Sequence, residues 1–174
     1  MRAYGNDLKR YIRDLSLRSA NPSGGSCAAL SVCLGISLIQ MALRYSGSSV
    51  SGYVARLEKI KEDVFPLVDH DGQLFQAIIK EKIPSQKKKL LKALQQETMI
   101  LIKGCSSISR YCRVFEPSIK KTISSDFYAG LGLCRVALSV CITNLKANQS
   151  LFKINNQQRI RQAAKTLGEF KRWA

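Results

Sequence analysis

Apolar residues recur at intervals of three and four along most of this sequence, a spacing that places them on one face of an α-helix. The first such segment predicts an amphipathic helix that ends near Ser19, and its apolar residues are Leu8, Tyr11, Ile12 and Leu15. Short stretches rich in Gly, Pro and Ser separate the segments, and no segment shows the apolar and polar alternation of a half-buried strand. The pattern therefore predicts an all-α fold.

Two of the predicted helices carry almost no charge. One covers residues 26–44, and the other covers residues 126–148, where Arg135 interrupts a long apolar stretch. Helices this apolar cannot face water on every side, so we expect them to pair at the centre of a helical bundle or of a dimer. The seventeen uncharged residues 27–43 are short for a membrane span and include three polar side chains, which favours a buried core helix.

An apolar stripe predicts a third helix that is bent or interrupted at Pro66 and ends before Pro84. The stripe consists of Val54, Leu57, Val64, Val68, Phe75 and Ile78. A fourth helix is predicted to run from Ser85 through Gly104 and to stop at Pro117. Its apolar residues fall seven positions apart, at Leu94, Leu101, Ile108 and Phe115.

The last third of the chain completes the prediction. Ser124 or Ser125 is expected to cap the second uncharged helix, after a loop with the sequence SIKKTISS. A basic C-terminal helix follows, with apolar residues at Ile160, Ala163, Ala164, Leu167 and Phe170. We expect one domain over residues 1–174, an up-and-down helical bundle of five to six helices with a long central apolar helix pair.

The charge balance predicts an anionic partner. The sequence has 28 Lys and Arg residues against 12 Asp and Glu residues, which gives a formal net charge of +16. Nucleic acid, an acidic membrane surface or a polyanionic small molecule would each be attracted to such a chain. The two most basic stretches are residues 80–92 and 159–173, and their alternative interpretation is a solvated helix face without a binding role.

The six cysteines show no C-x-x-C pair, and His70 is the only histidine, so we expect no metal site. Four of the cysteines fit apolar helical stretches, and all six are expected to be reduced core residues. The sequence MRAYGNDLKR is polar where a secretory signal would be apolar, which predicts a cytoplasmic protein. His70 itself is expected on an exposed helix face.

The turn at residues 21–26, NPSGGS, precedes the first apolar helix and interrupts the chain with a proline and two glycines. Gly24, Gly25 and Ser26 present backbone N–H groups at a helix N-terminus, where the macrodipole favours an anion. The alternative is that Ser26 only caps the helix and that the glycines only form the turn.

Four further polar residues occur in apolar surroundings. Asp71 precedes Phe75 by four residues within an apolar stripe, which indicates either an inward carboxyl group with a raised pKa or a solvated helix edge. Asp126 lies at a helix start, where the dipole stabilises a carboxylate with or without a function. Asn144 and Asn148 share one helix face, where they either bind a ligand or form hydrogen bonds to a neighbouring helix.

Three stretches together resemble the C-terminal domain of the formiminotransferase-cyclodeaminase family and the related stand-alone methenyltetrahydrofolate cyclohydrolases. NPSGGSCAALSVCLGISLIQMALRYS is similar to the family's P-G-G-G-S-x-x-A signature and following helix, and LVDHDGQLFQAIIK is similar to its D-x-x-x-F segment. SSDFYAGLGLCRVALSVCITNLKAN is similar to its S-D helix, which closes on an N-x-x-x-N pair. Two positions depart from the pattern: Ser23 stands at the first glycine of the turn, and residues 121–123, KTI, stand where the family has Gly-Asn ahead of S-D.

The resemblance implies an all-helical protein that dimerises and binds a tetrahydrofolate derivative. It would act at the one-carbon unit between N5 and N10 of the folate, as a cyclodeaminase or a cyclohydrolase. By motif position, Asp71 and Asp126 are the catalytic residues, which stabilise the cationic one-carbon centre or exchange protons with it. The substrate-binding residues are Pro22, Gly24, Gly25, Ser26, Phe75, Ser125, Asn144 and Asn148. Basic side chains at the pocket mouth would attract the glutamate tail, including that of a polyglutamylated folate.

Two other classes of protein stay open on the sequence. One is a helical binding module that keeps the fold of a folate enzyme without its activity and uses the basic surface for nucleic acid or an acidic partner. The other is a membrane-associated helical protein, which the apolar stretch 27–43 and the positive charge would suit. We expect no membrane association.

Overall fold

The computed structural model describes residues 5–17, 21–47 and 51–173. These residues form seven α-helices and three short 3₁₀ segments and include no strand. The α-helices are α1 (Gly5–Leu15), α2 (Gly24–Ser46), α3 (Ser51–Val64), α4 (Leu67–Lys80), α5 (Pro84–Phe115), α6 (Ser124–Phe152) and α7 (Gln157–Glu169). The predicted all-α bundle is therefore confirmed.

The two uncharged helices, α2 and α6, pack against each other more extensively than any other pair of elements. They are antiparallel and cross where two glycines meet. A Cβ atom added to Gly35 would lie 2.6 Å from the Gly130 carbonyl oxygen, and the converse distance is the same. Only glycines permit this approach, so the predicted central pair is confirmed and its crossing point is fixed by these two residues.

The remaining helices wrap around the central pair. The chain turns at Phe65 and Pro66 between α3 and α4, as predicted, and both helices pack on α2. α5 contacts α3, α4 and α6, and α7 packs on α5 and α6. In α5 the four apolar residues with heptad spacing are all buried, which confirms one long helix there.

Two predicted helix termini differ from the structure. α1 ends at Leu15, while residues 18–20, where the end was expected, lie outside the described residues. The hydroxyl group of Ser124 donates to the Lys121 carbonyl oxygen instead of capping α6, and the residue before the helix, Ile123, forms no side-chain cap. The predicted Ser124 or Ser125 cap is therefore wrong, because a preceding 3₁₀ turn already uses that hydroxyl group.

The six cysteines are free thiols, and all except Cys27 are buried, so the predicted core position is wrong for Cys27. Burial raises the pKa of Cys33 to about 11 and that of Cys141 to about 12, so both thiols are protonated at neutral pH. Within the described ranges, no group of three or more His, Cys, Asp and Glu side chains is placed to hold a metal ion.

By length and composition alone, α2 and α6 would each be able to cross a membrane. In this bundle, 61% of the most apolar stretch of α2 is buried, as expected for a core helix. Only 39% of the corresponding stretch of α6 is buried. One side of the central pair is therefore apolar and open.

Candidate functional site

The N-terminus of α2 is capped by Ser23, in an extended backbone conformation. Its hydroxyl oxygen accepts a hydrogen bond from the backbone N–H of Ser26 at 3.1 Å, and the hydroxyl group donates to Oδ2 of Asp71 at 2.5 Å. Ser26 is fully buried within the first turn. The interpretation of Ser26 as the cap is therefore wrong, and the serine that departs from the family pattern joins α2 to α4.

Asp71 lies directly against the first turn of α2. A Cβ atom on Gly25 would collide with the Asp71 carboxyl group, so this carboxyl group occupies the space of the missing side chain. A carboxylate at a helix N-terminus interacts favourably with the macrodipole. An acidic side chain of the chain itself therefore occupies the position where an anion was expected.

A pocket of about 330 Å³ opens beside this contact, between the start of α2, α4, α5 and the last third of α6. Six of the ten predicted site residues line it, namely Gly24, Gly25, Asp71, Phe75, Asn144 and Asn148. Five lining residues were not predicted, namely Ser23, Leu94, Thr98, Ala147 and Leu151. Residues far apart in the sequence therefore meet at one pocket.

The pocket has a polar end and apolar walls. Asn144 lies close to Gly24, where an added Cβ atom would be 3.6 Å from Oδ1 of Asn144. Within the described part of the chain, neither Asn144 nor Asn148 has a side-chain hydrogen-bond partner. The hydrogen bonds to a neighbouring helix considered as an alternative are thus not formed, and both amide groups remain open to a ligand.

Burial raises the pKa of the Asp71 carboxyl group, and the hydrogen bond from Ser23 opposes that shift. The Asp71 carboxyl group therefore points inward, and the solvated helix edge, the other interpretation that the sequence left open, is wrong. A carboxyl group with a raised pKa in a partly enclosed pocket is suited to proton transfer.

Glu97, on α5, is a second carboxyl group near the pocket that the sequence interpretation missed. Its Oε2 atom is buried and has no hydrogen-bond partner among the described residues, and its Oε1 atom lies 4.0 Å from Nδ1 of the exposed His70. Burial raises the pKa of Glu97, the negative charge of Asp71 raises it further, and His70 opposes the shift. The sequence did contain a signal for this residue, because Glu97 is an acidic residue between the heptad positions Leu94 and Leu101.

Four predicted residues do not line the pocket. Pro22 precedes the Ser23 cap, and Ser26 is buried behind Gly25. Ser125 and Asp126 lie at the other end of α6. At 1.5 Å per helical residue, Asp126 is about 27 Å from Asn144 along the helix. One chain therefore does not bring Asp126 to Asp71, and the catalytic role of Asp126 stays a prediction.

A basic groove of about 660 Å³ lies next to the pocket, one helical turn nearer the start of α5. It joins the two basic stretches of the sequence, because Lys88, Lys89 and Lys92 of α5 face Arg159 of α7. Leu91 and Ile154 contribute apolar surface, and no acidic side chain lines the groove in the described structure.

Comparison with known proteins identifies the family and the fold. The family model described as formiminotransferase-cyclodeaminase matches residues 7–168. Among solved structures, formiminotetrahydrofolate cyclodeaminase from Thermotoga maritima is similar, with a TM-score of 0.76 and 18% identity over 95% of this chain and 88% of that chain. No curated protein matches the chain. The likeness to the solved structure establishes the fold, and the family match confirms the resemblance seen in the motifs.

Proposed function

Because this chain belongs to the formiminotransferase-cyclodeaminase family, we propose that it binds a tetrahydrofolate derivative in the pocket between α2, α4, α5 and α6. The proposed reaction takes place at the one-carbon unit that bridges N5 and N10 of the folate. Asp71 carries the proposal, since it is a carboxyl group held by Ser23 beside a pocket whose two amide groups have no hydrogen-bond partner among the described residues.

The lining of the pocket suits the pterin end of a folate. A pterin is flat and carries hydrogen-bond donors and acceptors along its edge, and an asparagine amide offers both. Phe75 and Leu151 provide apolar wall for the ring faces. A volume of about 330 Å³ is at the small end of ligand pockets, so the remainder of the folate would extend outside it.

Asp71 has a defined task in either reaction of this class. In cyclodeamination, N10 attacks the formimino carbon, and ammonia leaves with a proton that a neutral carboxyl group donates. In cyclohydrolysis, water adds to the methenyl carbon of an amidinium cation, which a carboxylate stabilises. The raised pKa of Asp71 makes both protonation states accessible nearer to neutral pH than for an ordinary aspartate.

The basic groove is the proposed site for the glutamate tail. Lys88, Lys89 and Lys92 are exposed or partly exposed, so they attract carboxylates by charge while water screens each pair. Leu94 in the pocket and Leu91 in the groove are separated by less than one helical turn. A tail leaving the pocket along α5 would therefore enter the groove.

Calorimetric titration with 5-formyltetrahydrofolate, as monoglutamate and as polyglutamate at physiological salt, tests the proposal. We expect micromolar binding that tightens with glutamate number. Asn144→Ala should weaken binding about fivefold to tenfold, because one net hydrogen bond contributes about 1 kcal/mol. Gln73→Ala, at an exposed position of α4, is the control and should bind as the parent does. Absence of binding to either ligand would overturn the proposal.

The groove also supports the second candidate, a binding module without folate chemistry. Four basic residues converge there without a neutralising acid in the lining. Under this alternative, single-stranded nucleic acid would bind at physiological salt, and Lys88→Glu together with Lys89→Glu would abolish binding. Fluorescence anisotropy separates the two functions, because binding confined to low salt is nonspecific and favours the folate site.

A further inference from the structure

Glu97 is a largely buried carboxyl group to which the proposed function assigns no role. Its side chain is 19% exposed, and it lies on α5 between Leu94 and Thr98, two residues that line the pocket. Glu97 itself does not line the pocket. Its Oε2 atom is buried and has no hydrogen-bond partner among the described residues. Burial of an unpaired carboxylate oxygen is costly, so this oxygen indicates a group that holds a proton or exchanges one.

Two consecutive residues of α4 interact with Glu97. Its Oε1 atom lies 4.0 Å from Nδ1 of His70, within the reach of an ion pair. Asp71 is near enough that its negative charge acts on Glu97 as well. Consecutive residues point about 100° apart around a helix, so one α5 side chain packed against α4 reaches both. Glu97 therefore connects the carboxyl group of the site to a histidine whose side chain is 58% exposed.

The charges around the two carboxyl groups determine which one keeps its proton longer. In the described structure, Asp71 raises the pKa of Glu97 and His70 lowers it, while α3 and α7, which also pack on α5, contribute no charge to this shift. From α2, the hydrogen bond of Ser23 lowers the pKa of Asp71. From α6, Cys141 is near Asp71, but its pKa of about 12 keeps the thiol neutral. Asp71 therefore ionises first, and Glu97 binds the last proton of the pair.

Hydrolysis of a methenyl folate leaves one proton at the site. As water adds to the methenyl carbon, the C–O bond forms and a proton of the water passes to the Asp71 carboxylate. The C–N5 bond then breaks with its electron pair on N5, which takes the remaining hydroxyl proton. The products are an N10-formyl folate and one proton on Asp71. A folate that fills the pocket excludes water from Asp71 on that side, so this proton needs another way out.

We propose that Glu97 is a positioning residue that takes this proton from Asp71 and passes it through His70 to solvent, which returns Asp71 to its carboxylate form. The Asp71 O–H bond breaks as the Glu97 O–H bond forms, and Glu97 then gives the proton to the neutral imidazole of His70. The 4.0 Å distance exceeds a hydrogen bond by about 1 Å, which rotation of the exposed imidazole closes. The inference rests on the proposed function in its hydrolytic form.

Carboxyl-carbon NMR titration of the folate-free protein tests the coupling of these groups. Glu97 should lose its proton at higher pH than Asp71. Asp71→Asn should lower the pKa of Glu97 because it removes a negative charge, and His70→Gln should raise it because it removes a positive one. Asp69→Asn, at the exposed residue before His70, is the matched control and should leave the Glu97 titration unchanged. A Glu97 titration that neither Asp71→Asn nor His70→Gln moves would overturn the inference.

Steady-state hydrolysis of methenyltetrahydrofolate separates a relay from a structural role. Glu97→Gln keeps the shape of the side chain but transfers no proton, so kcat should fall at least about tenfold while KM stays within about twofold. Glu97→Asp keeps a carboxyl group and should recover part of kcat. Added imidazole should restore kcat in His70→Ala but not in Glu97→Gln, after subtraction of the rate without protein. Circular dichroism should show all three variants folded, and an unchanged kcat in Glu97→Gln would contradict the relay.

Calorimetric titration distinguishes failure of this inference from failure of the proposed function. Glu97→Gln should bind 5-formyltetrahydrofolate as the parent does, since Glu97 lies outside the pocket lining. A parent chain that binds folate and hydrolyses the methenyl form as fast as Glu97→Gln does would refute the relay and leave the proposed function standing. A parent chain that acts only on the formimino form would also refute the relay, because cyclodeamination gives the proton of N10 to the leaving amine. A parent chain that binds no folate would refute the proposed function and the relay together.

Discussion

At the scale of single residues, the site depends on a carboxyl group that the fold holds at a cost. Asp71 is brought against the first turn of α2 by Gly25 and is held there by Ser23. Burial favours its neutral form, so the charged form at neutral pH destabilises the folded chain. A buried carboxyl group of this kind is common at sites where activity and stability conflict.

Asp71→Asn should therefore abolish turnover without loss of folding. An asparagine still accepts the Ser23 hydrogen bond and has no charge to desolvate. A carboxyl group whose pKa is raised in the folded state contributes stability below its unfolded pKa and loses that contribution as pH rises through its folded pKa. Thermal melting at pH 7 should show Asp71→Asn at least as stable as the parent, with the difference vanishing near pH 3. Full activity in this variant would remove Asp71 from the mechanism.

Ser23→Ala should change pH dependence and stability together. Loss of the Ser23 hydroxyl group removes the interaction that lowers the pKa of Asp71. Any pH dependence of binding or turnover that arises from titration of Asp71 should therefore shift to higher pH. Loss of the α2 cap should also reduce stability by about 1 kcal/mol. Folate binding measured across pH 4–9 checks the first effect. Ser37→Ala, which removes a hydroxyl bonded to the Cys33 carbonyl oxygen on the same helix, should leave the pH profile unchanged.

At the scale of elements, the bundle depends on the close approach of α2 and α6. Gly35→Ala should force the helices apart, because the added carbon would meet the backbone at Gly130, which cannot rotate away as a side chain would. We expect destabilisation by about 1–3 kcal/mol, as for overpacked cores, and a lower melting temperature by circular dichroism. Gly168→Ala, in α7, has open space around it and should be neutral or slightly stabilising. Equal melting temperatures for the two variants would contradict the crossing geometry.

At the scale of the whole molecule, the sequence predicted what strong patterns determine. The pairing of α2 and α6 was predictable because two long uncharged helices bury their apolar surface most readily against each other. α5 was predictable from the heptad spacing of its apolar residues. Glu97 was missed because its significance depends on α4 packing beside α5, which no local pattern reveals. The exposure of Leu8 and Ile12, at 51% and 58%, was also missed, because amphipathic spacing identifies an apolar face without saying what covers it.

The separation of Asp126 from the asparagine pair was also missed, although the sequence contained the information needed to predict it. Spacing placed Asp126, Asn144 and Asn148 on one helix, and 27 Å of that helix, at about 1.5 Å per residue, puts them at opposite ends. The family resemblance assigns these residues to one site, whereas their positions along α6 keep Asp126 away from the two asparagines.

The Gly35–Gly130 crossing also has a consequence for folding during synthesis. Gly130 is synthesised 95 residues after Gly35, so the most apolar helix of the chain emerges long before the helix that covers it. At a typical elongation rate of about 5–20 residues per second, about 5–20 seconds pass between the synthesis of Gly35 and that of Gly130. During that interval the nascent chain exposes a surface that chaperones bind, and slower translation should lower the yield of soluble protein.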